Sequence, residues 1–280
     1  MNLKKIILFI AIGIQCSMYA QIIRPQASPA ATIKQTVGLT DVTIDYSRPL
    51  LKGRDMFQDL TKIGKVWRTG ANMCTQLTLS ADIDIEGITV PEGKYSIYSI
   101  PGEESWKVIF NKKISWGTEY DENQDFIRIN VPSVKSTITH ESFTFYFSDV
   151  TQNSANLGFV WGDTQVELKL HTDTHSTILE SIETTMSDES NATNGDFYNA
   201  ADYYIIHKLD SEKALRWASK YLEIENDKYW AHGLQANALA YAGKFVEAIE
   251  SAKKTIELAK NARNEGYVIE FEKKLTEWEK

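Results

Sequence analysis

The spacing of apolar residues changes near residue 172, and this change constrains the fold more than any other feature of the chain. Before it, β-branched and aromatic residues alternate with polar ones, as in VTIDYS at 42–47. After it, apolar residues recur at intervals of three and four, as in EKALRWASKYLEIEND at 212–227. Alternation suits half-buried strands, whereas three-four spacing suits amphipathic helices. We therefore predict an all-β sandwich or barrel-like N-terminal domain at 21–171 and an all-α, helical-repeat C-terminal domain at 172–280.

Eight segments of the N-terminal part alternate in this way, with the turn-forming stretches EGITVPEG, PGEES, DENQ and GDT between some of them. The predicted strands are 42–47, 75–80, 94–100, 106–111, 125–131, 141–150, 155–161 and 164–170. One short helix is expected at 54–62. Short strands that recur without long helices between them are typical of an antiparallel sandwich or barrel.

The C-terminal part contains an internal repeat. The predicted helices are 174–187, 196–208, 211–224, 228–242, 245–262 and 265–279. Residues 212–227 align with 246–261 at an offset of 34 residues, which is the period of tetratricopeptide repeats. We expect two degenerate repeats of this kind, which dock a protein partner or pack on the β-domain.

The first twenty residues have the pattern of a secretory signal peptide. Two lysines precede the apolar run IILFIAIGI, and a cleavage site follows Ala20. Export to the periplasm or beyond the cell is therefore expected, the alternative being an uncleaved anchor. Cys16 would leave with the leader, so that Cys74 is the single cysteine of the mature chain and no intramolecular disulfide forms. We interpret Cys74 as a small buried hydrophobe rather than a nucleophile.

The charge balance excludes several classes of partner. The formal net charge is −8, and removal of the leader leaves 28 basic against 38 acidic residues. An acidic chain is a poor candidate for binding nucleic acid or anionic lipid. No long apolar run follows residue 20, so no transmembrane segment is expected after signal removal. No nucleotide-binding, zinc-protease or nucleophile-elbow motif is present, and we expect no cofactor and no metal.

Five sequence blocks of the β-domain resemble a known family. They are YSRPLLKGRDMF, GKVWRTGANMCTQLTLS, VPEGKYSIYSIPGEESWKVIFNK, WG and DFIRINV, in this order. Together they look like the signature blocks of the bacterial family called domain of unknown function 2911, with KVWRTGAN as the most specific of them. The resemblance implies an exported all-β domain that is sometimes followed by helical repeats. It implies no reaction.

The best candidate for a ligand site lies in two of these blocks. The candidate residues are Arg48, Lys52, Arg54, Trp67, Arg68 and Asn72. An arginine offers a planar fork of donors suited to carboxylate or phosphate, and an asparagine both donates and accepts. Trp67 could stack against a sugar or cap a guanidinium group. The nearby glycines permit bends that hold such groups in place.

A structural interpretation of the same residues stays open at this stage. Arg68 could pair with a buried acid such as Asp125, Asn72 could hydrogen-bond its own turn, and Trp67 could fill the core. Two further residues, His171 and His175, are spaced for a metal, but no third ligand accompanies them.

Three hypotheses about function follow. The leading one is an exported, non-catalytic binding protein, whose β-domain holds a small anionic, polar or saccharide ligand near Arg68 and whose repeats dock a partner. The alternative is an extracytoplasmic hydrolase or lyase that acts on a saccharide or peptide. It requires a carboxylate or histidine in a pocket next to Arg68. The third is a purely structural scaffold.

Overall fold

A computed structural model describes residues 24–280, so the predicted leader peptide lies outside the described residues. The chain forms two compact units, with the boundary between Thr172 and Asp173. The first is an antiparallel β-structure and the second consists of α-helices. The predicted order, a β-rich part followed by helices, is confirmed.

The β-unit is built on one nine-stranded sheet. Its strands are β1 (Ala30–Val37), β2 (Thr40–Ser47), β3 (Thr75–Leu79), β4 (Ile83–Ile85), β5 (Ile88–Val90), β6 (Gly93–Ile100), β7 (Ser105–Asn111), β8 (Asp125–Ser148) and β9 (Ser154–His171). Neighbours follow the order β1-β2-β3-β6-β7-β8-β9-β4-β5, and every pair is antiparallel. The sheet surrounds one large apolar core, to which all these strands contribute.

Alternation along the strands produces that core. In β3, Thr75, Leu77 and Leu79 are buried, while the residues between them are half-buried. Their partners on β2 and β6 include Ile44 and Ile97, which are also buried. Removal of each large aliphatic side chain from water contributes about 1.5–3 kcal/mol. A change of register by one residue would move this set to the opposite face, so the pattern fixes the pairing.

Two predicted interruptions are wrong. Strand β8 is continuous from Asp125 to Ser148, where we predicted two strands, and it absorbs register shifts on both sides of His140. Strand β9 runs through the GDT stretch that resembled a turn, and Gly162 adopts a φ of +59° within it. The two long strands pair with each other, and this tertiary pairing overrides local turn propensity. Strand β1 and the short hairpin β4–β5 were not predicted.

A long connection crosses from β2 to β3. It begins with an isolated bridge between Leu50 and Ser142 of β8 and contains one turn of π-helix, Met56–Leu60. The predicted helix at 54–62 is therefore shorter than expected. The Asp55 carboxylate caps this turn by accepting from two backbone N–H groups.

The second unit contains six helices. They are α1 (Thr174–Met186), α2 (Asn194–Ile206), α3 (Ser211–Ile224), α4 (Tyr229–Tyr241), α5 (Phe245–Asn261) and α6 (Glu265–Trp278). Each agrees with its prediction to within two residues at either end. The small residues matched in the sequence repeat, Ala214 with Ala248 and Ala218 with Ala252, are all fully buried. No helix within residues 24–280 is both long enough and apolar enough to cross a membrane.

Candidate functional site

The loop between Trp67 and β3 has an unusual backbone. Thr69, Gly70 and Asn72 have φ angles of +51°, +151° and +59°. Left-handed conformations are costly for residues other than glycine and persist only where the surroundings hold them. A side chain at Gly70 would place its Cβ 2.9 Å from Thr75 Oγ1 and 3.2 Å from the Ser47 carbonyl oxygen. This position therefore requires glycine.

Polar side chains fasten the loop to the sheet. Thr69 is fully buried and donates from Oγ1 to Ser99 Oγ at 2.9 Å, while its carbonyl accepts from Thr75 Oγ1 at 2.6 Å. The Asn72 amide donates to the Ser28 carbonyl at 3.1 Å and to Ser47 Oγ at 3.2 Å. The side-chain amide of Asn72 thus links the loop to the N-terminal segment and to the end of β2.

Arg68 has few partners for a half-buried cation. Its Nη1 donates to the Asn72 carbonyl oxygen at 2.7 Å. No other hydrogen bond of its guanidinium, and no carboxylate within ion-pair distance, occurs in the described part of the chain. Its aliphatic stem lies against Gly117, where a Cβ would fall 2.6 Å from Arg68 Cδ. Most donors of this guanidinium are therefore unused by the protein.

The pairing of Arg68 with Asp125, which the sequence left open, does not occur. Asp125 accepts from Arg128 Nε at 2.6 Å, from the Tyr120 hydroxyl at 2.7 Å and from the Asn111 amide at 2.7 Å. These bonds satisfy the carboxylate, and burial together with Asp125 raises the pKa of Tyr120 above its usual range. Asp125 therefore belongs to a separate polar network.

The backbone amides of residues 70–73 are a second set of unused donors. None of them donates to an acceptor within residues 24–280. Residue 71 has an ordinary negative φ and Asn72 a positive one. Alternating signs of φ also occur in nests, the αR–αL turns whose successive N–H groups bind anions. The loop thus combines unbonded amides with an unpaired guanidinium.

Of the remaining cationic candidates, Arg48 ties the β2–β3 connection to strand β8, whereas Arg54 bonds within the connection. Arg48 donates to the Phe143 carbonyl and to the hydroxyls of Ser142 and Thr144 at 2.6–3.1 Å. Arg54 donates to the carbonyls of Leu50 and Leu51, both at 2.8 Å.

Lys52 is exposed, with a φ of +53°, and only its backbone N–H is bonded, to Glu141 Oε1 at 2.8 Å. Among the described residues, Arg68 and the three cations Arg48, Lys52 and Arg54 share no hydrogen-bond partner.

Trp67 packs inside the unit. Its ring is stacked on Trp161 with a centroid distance of 5.6 Å and meets Phe143 edge-on at 5.2 Å. Its backbone pairs with Ser99 in both directions, at 2.7 and 2.8 Å. The ring is half-buried beside the core. Trp67 therefore anchors the start of the loop.

Cys74 and Tyr98 form a small apolar cluster at the end of the loop. Cys74 is 2% exposed, and burial raises the pKa of its thiol to about 12. Tyr98 is equally buried, and its hydroxyl lies 3.3 Å from Ser115 Oγ. A thiol with such a pKa carries almost no thiolate at neutral pH.

The segment at 115–120 brings Gly117 against Arg68 and leaves Trp116 58% exposed, and its position beside Arg68 was not predicted. The WG block was the signal that could have located it.

The histidines of the HTDTH stretch do not form a cluster of ligands. His171 ends β9, and His175 Nδ1 lies 2.7 Å from the Tyr203 hydroxyl. Across residues 24–280, no group of three or more His, Cys, Asp or Glu side chains could hold a metal ion. An open groove on β8 and β9, lined by Asn156, Glu167 and others, lies away from the Arg68 loop.

The family model of the "protein of unknown function (DUF2911)" family matches residues 28–170, which is half of the chain. The chain belongs to the DUF2911 family. The match covers the β-unit and includes the Arg68 loop.

No curated protein matches the chain. Among solved structures, it is similar to the solution structure of protein BPP2914 from Bordetella parapertussis, at 15% identity and a TM-score of 0.31. That similarity covers 35% of this chain and 84% of the other.

Proposed function

We propose that this DUF2911 protein is a non-catalytic binding protein whose β-unit binds a small anion at the loop of residues 68–74. The observation that carries the proposal is the guanidinium of the half-buried residue Arg68, which has one hydrogen bond and no carboxylate partner among the residues described. Charged groups removed from water are normally paired, because desolvation of an unpaired charge is costly. An anionic ligand supplies the missing partner.

The local charge and the backbone support this assignment. Residues 48–68 contain six basic and two acidic residues, in a chain with a net charge of −8. None of the six cations forms an ion pair with a carboxylate in the described chain. The unbonded amides of residues 70–73 add neutral donors beside the guanidinium. Phosphate and carboxylate groups match this combination of a planar fork and N–H donors.

The geometry favours binding over the hydrolase or lyase alternative. That alternative required a carboxylate or histidine within hydrogen-bond reach of a pocket beside Arg68. In the described residues, neither group hydrogen-bonds to Arg68, and Cys74 is buried with a raised pKa. Asp125 is occupied by three donors.

Two further parts of the proposal concern the rest of the chain. We infer that the leader directs export, so that the ligand is met in the periplasm or outside the cell. We also infer that α2–α3 and α4–α5 are degenerate tetratricopeptide-like repeats that dock a protein partner. The support is the sequence offset of 34 residues together with the burial of the small residues at matched positions.

Thermal shift with inorganic phosphate, acetate and glucuronate tests the anion site. A ligand that binds only the native state raises the melting temperature, and the shift grows with the logarithm of the ligand concentration once that concentration exceeds the dissociation constant. The wild type should be stabilised by at least one of these anions. Arg68→Gln should fold and lose the shift, and Arg68→Lys should retain part of it, because a lysine keeps the charge but not the fork.

Arg263→Gln is the matched control, since Arg263 is exposed in the turn after α5 and its side chain has no partner among the described residues. It removes the same charge and should leave the shift unchanged. An Arg68→Gln protein that is insoluble or unfolded supports a structural role for Arg68 instead. Equal loss of the shift in both variants would assign the effect to net charge.

A further inference from the structure

The helical unit contains a half-buried carboxylate that lacks a partner. Asp202 lies on α2, one turn after Tyr198, and forms no hydrogen bond or ion pair with any residue from 24 to 280. Burial raises the pKa of this carboxyl, and only Lys274 on α6 acts in the opposite direction. A carboxylate that is partly removed from water and has no partner is costly in free energy, so a cation that pairs with it binds favourably.

Tyrosine rings surround the same face. Tyr198 and Tyr267 lie close enough to influence each other's pKa, and burial raises that of Tyr198 to about 12. The Tyr267 ring of α6 meets Tyr229 of α4 edge-on at 4.7 Å, and Tyr198 meets Tyr221 of α3 at 5.2 Å. Asp202 stands four residues after Tyr198 on α2, and its charge contributes to the raised pKa of both Tyr198 and Tyr267. Helices α2, α4 and α6 therefore contribute to one aromatic face beside Asp202. Faces of tyrosine rings attract ammonium and guanidinium groups.

The nearest cation is occupied elsewhere. Lys274 Nζ donates to Glu270 Oε1 at 2.6 Å and to Asn237 Oδ1 at 2.9 Å. It also lies 4.6 Å from the centroid of the Phe271 ring. These contacts hold the ammonium group beyond ion-pair distance of Asp202. The helical unit therefore presents Asp202 to an external cation.

We propose that this face binds a basic segment of a partner polypeptide, with a lysine or arginine side chain seated between Asp202 and the tyrosine rings. The charge of the unit favours such a partner, because residues 173–280 contain 20 acidic and 13 basic residues. The aromatic face spans three helices, which suits an extended segment better than a single small amine. The proposal rests on the partner docking proposed above for the helical repeats and does not depend on the anion site of the β-unit.

Fluorescence anisotropy with a labelled octapeptide of alternating lysine and glycine tests the proposal on the full chain. Asp202→Asn should weaken binding at least tenfold. Glu250→Gln, which removes an exposed acid of α5 that has no ion pair among the described residues, should change it less than twofold. The same peptide with acetylated lysines should not bind. Asp202→Asn removes an unfavourable buried charge, so that it should fold with an equal or higher melting temperature.

Carbodiimide cross-linking of the peptide to the wild type provides a second measurement that needs no variant. The lysine amine should form an amide with Asp202, identified by peptide mass. Absence of binding, equal weakening by Asp202→Asn and Glu250→Gln, or cross-links on exposed acids without Asp202 would each overturn the proposal. Binding of spermidine that depends on Asp202, with no binding of the octapeptide, would also overturn it.

Discussion

Gly117 lies directly against the side chain of Arg68, and a Cβ at residue 117 would fall 2.6 Å from Arg68 Cδ and 2.7 Å from its Cβ. The two residues belong to different family blocks, WG and KVWRTGAN. Their contact gives a physical reason why a glycine stands at residue 117. A larger residue would displace the guanidinium that the proposed anion site requires.

Gly117→Ala should therefore weaken anion binding and destabilise the β-unit by about 1–3 kcal/mol, because the added methyl group overpacks the contact. Urea unfolding and the phosphate-induced thermal shift measure the two effects. Gly266→Ala is the matched control: it lies in the first turn of α6 with only an ordinary contact to Asn264, and alanine there should be neutral or stabilising by up to about 1 kcal/mol. Unchanged binding by Gly117→Ala would contradict the role assigned to this contact.

Gly70→Ala should be more damaging than Gly53→Ala. Both glycines have positive φ angles, but a Cβ at Gly70 meets Thr75 Oγ1 and the Ser47 backbone, whereas at Gly53 it meets nothing within 4 Å. The left-handed backbone alone costs alanine about 1 kcal/mol, and overpacking adds about 1–3 kcal/mol. Denaturant midpoints of the two variants test the difference. Equal destabilisation would mean that the 68–74 loop relaxes freely.

The ionised carboxylate of Asp202 should destabilise the helical unit at neutral pH. Burial raises the pKa of this carboxyl in the folded state, so that the folded state binds more protons than the unfolded state between the two pKa values. The penalty is fully present above the folded pKa, declines as the pH falls between the folded and unfolded pKa values, and is absent below both. Asp202→Asn should thus be more stable than the wild type at neutral pH, and this advantage should shrink toward acid pH.

Urea unfolding followed by the helical circular dichroism signal measures that difference for the two proteins. The difference in the free energy of unfolding between the two proteins cancels the contributions of the other acids. Several of these, including Glu183 and Asp210, have lowered pKa values and act in the opposite sense. An advantage of Asp202→Asn that grows toward acid pH would contradict the assignment.

Cys74 should be chemically silent in the folded protein. Its thiol donates to the Ile97 carbonyl at 3.2 Å, and burial raises its pKa to about 12. A disulfide-exchange reagent at mildly alkaline pH should label less than a tenth of the native protein within the time in which the urea-unfolded protein reacts completely. Rapid labelling of the native chain would reopen the question of a reactive cysteine.

Elements that are determined by neighbouring residues in the sequence were predictable, and elements that are determined by pairing with distant strands were not. Helices α1–α6 were predicted closely because their spacing and caps are local signals. Strand β1 was missed because its inward positions include the small Ala31 and the polar Gln35 beside Ile33 and Val37, which weakens the alternation. Strands β8 and β9 were each predicted as two, since their continuity comes from pairing with each other rather than from their own residues.

The candidate site was predictable only in part. The Arg68 loop was located from the density of arginine, glycine and asparagine, and its left-handed residues agree with that composition. The partners of its cations were not predictable. Arg48 donates to residues about 95 positions away on β8, and Asp125 accepts from Arg128 three positions away instead of from Arg68. The contacts of Arg48 depend on the topology of the sheet, whereas the pairing of Asp125 with Arg128 is a local choice among several nearby donors.

Backbone amide chemical shifts during a phosphate titration test the central claim most directly. The account predicts that the amides of residues 70–73 and the Arg68 Nε–H shift together with one saturable dissociation constant. It also predicts that Arg68→Gln abolishes these shifts, while Arg263→Gln preserves them. Small unsaturable shifts spread over the surface, or saturable shifts at 70–73 that persist in Arg68→Gln, would contradict an anion site built on Arg68.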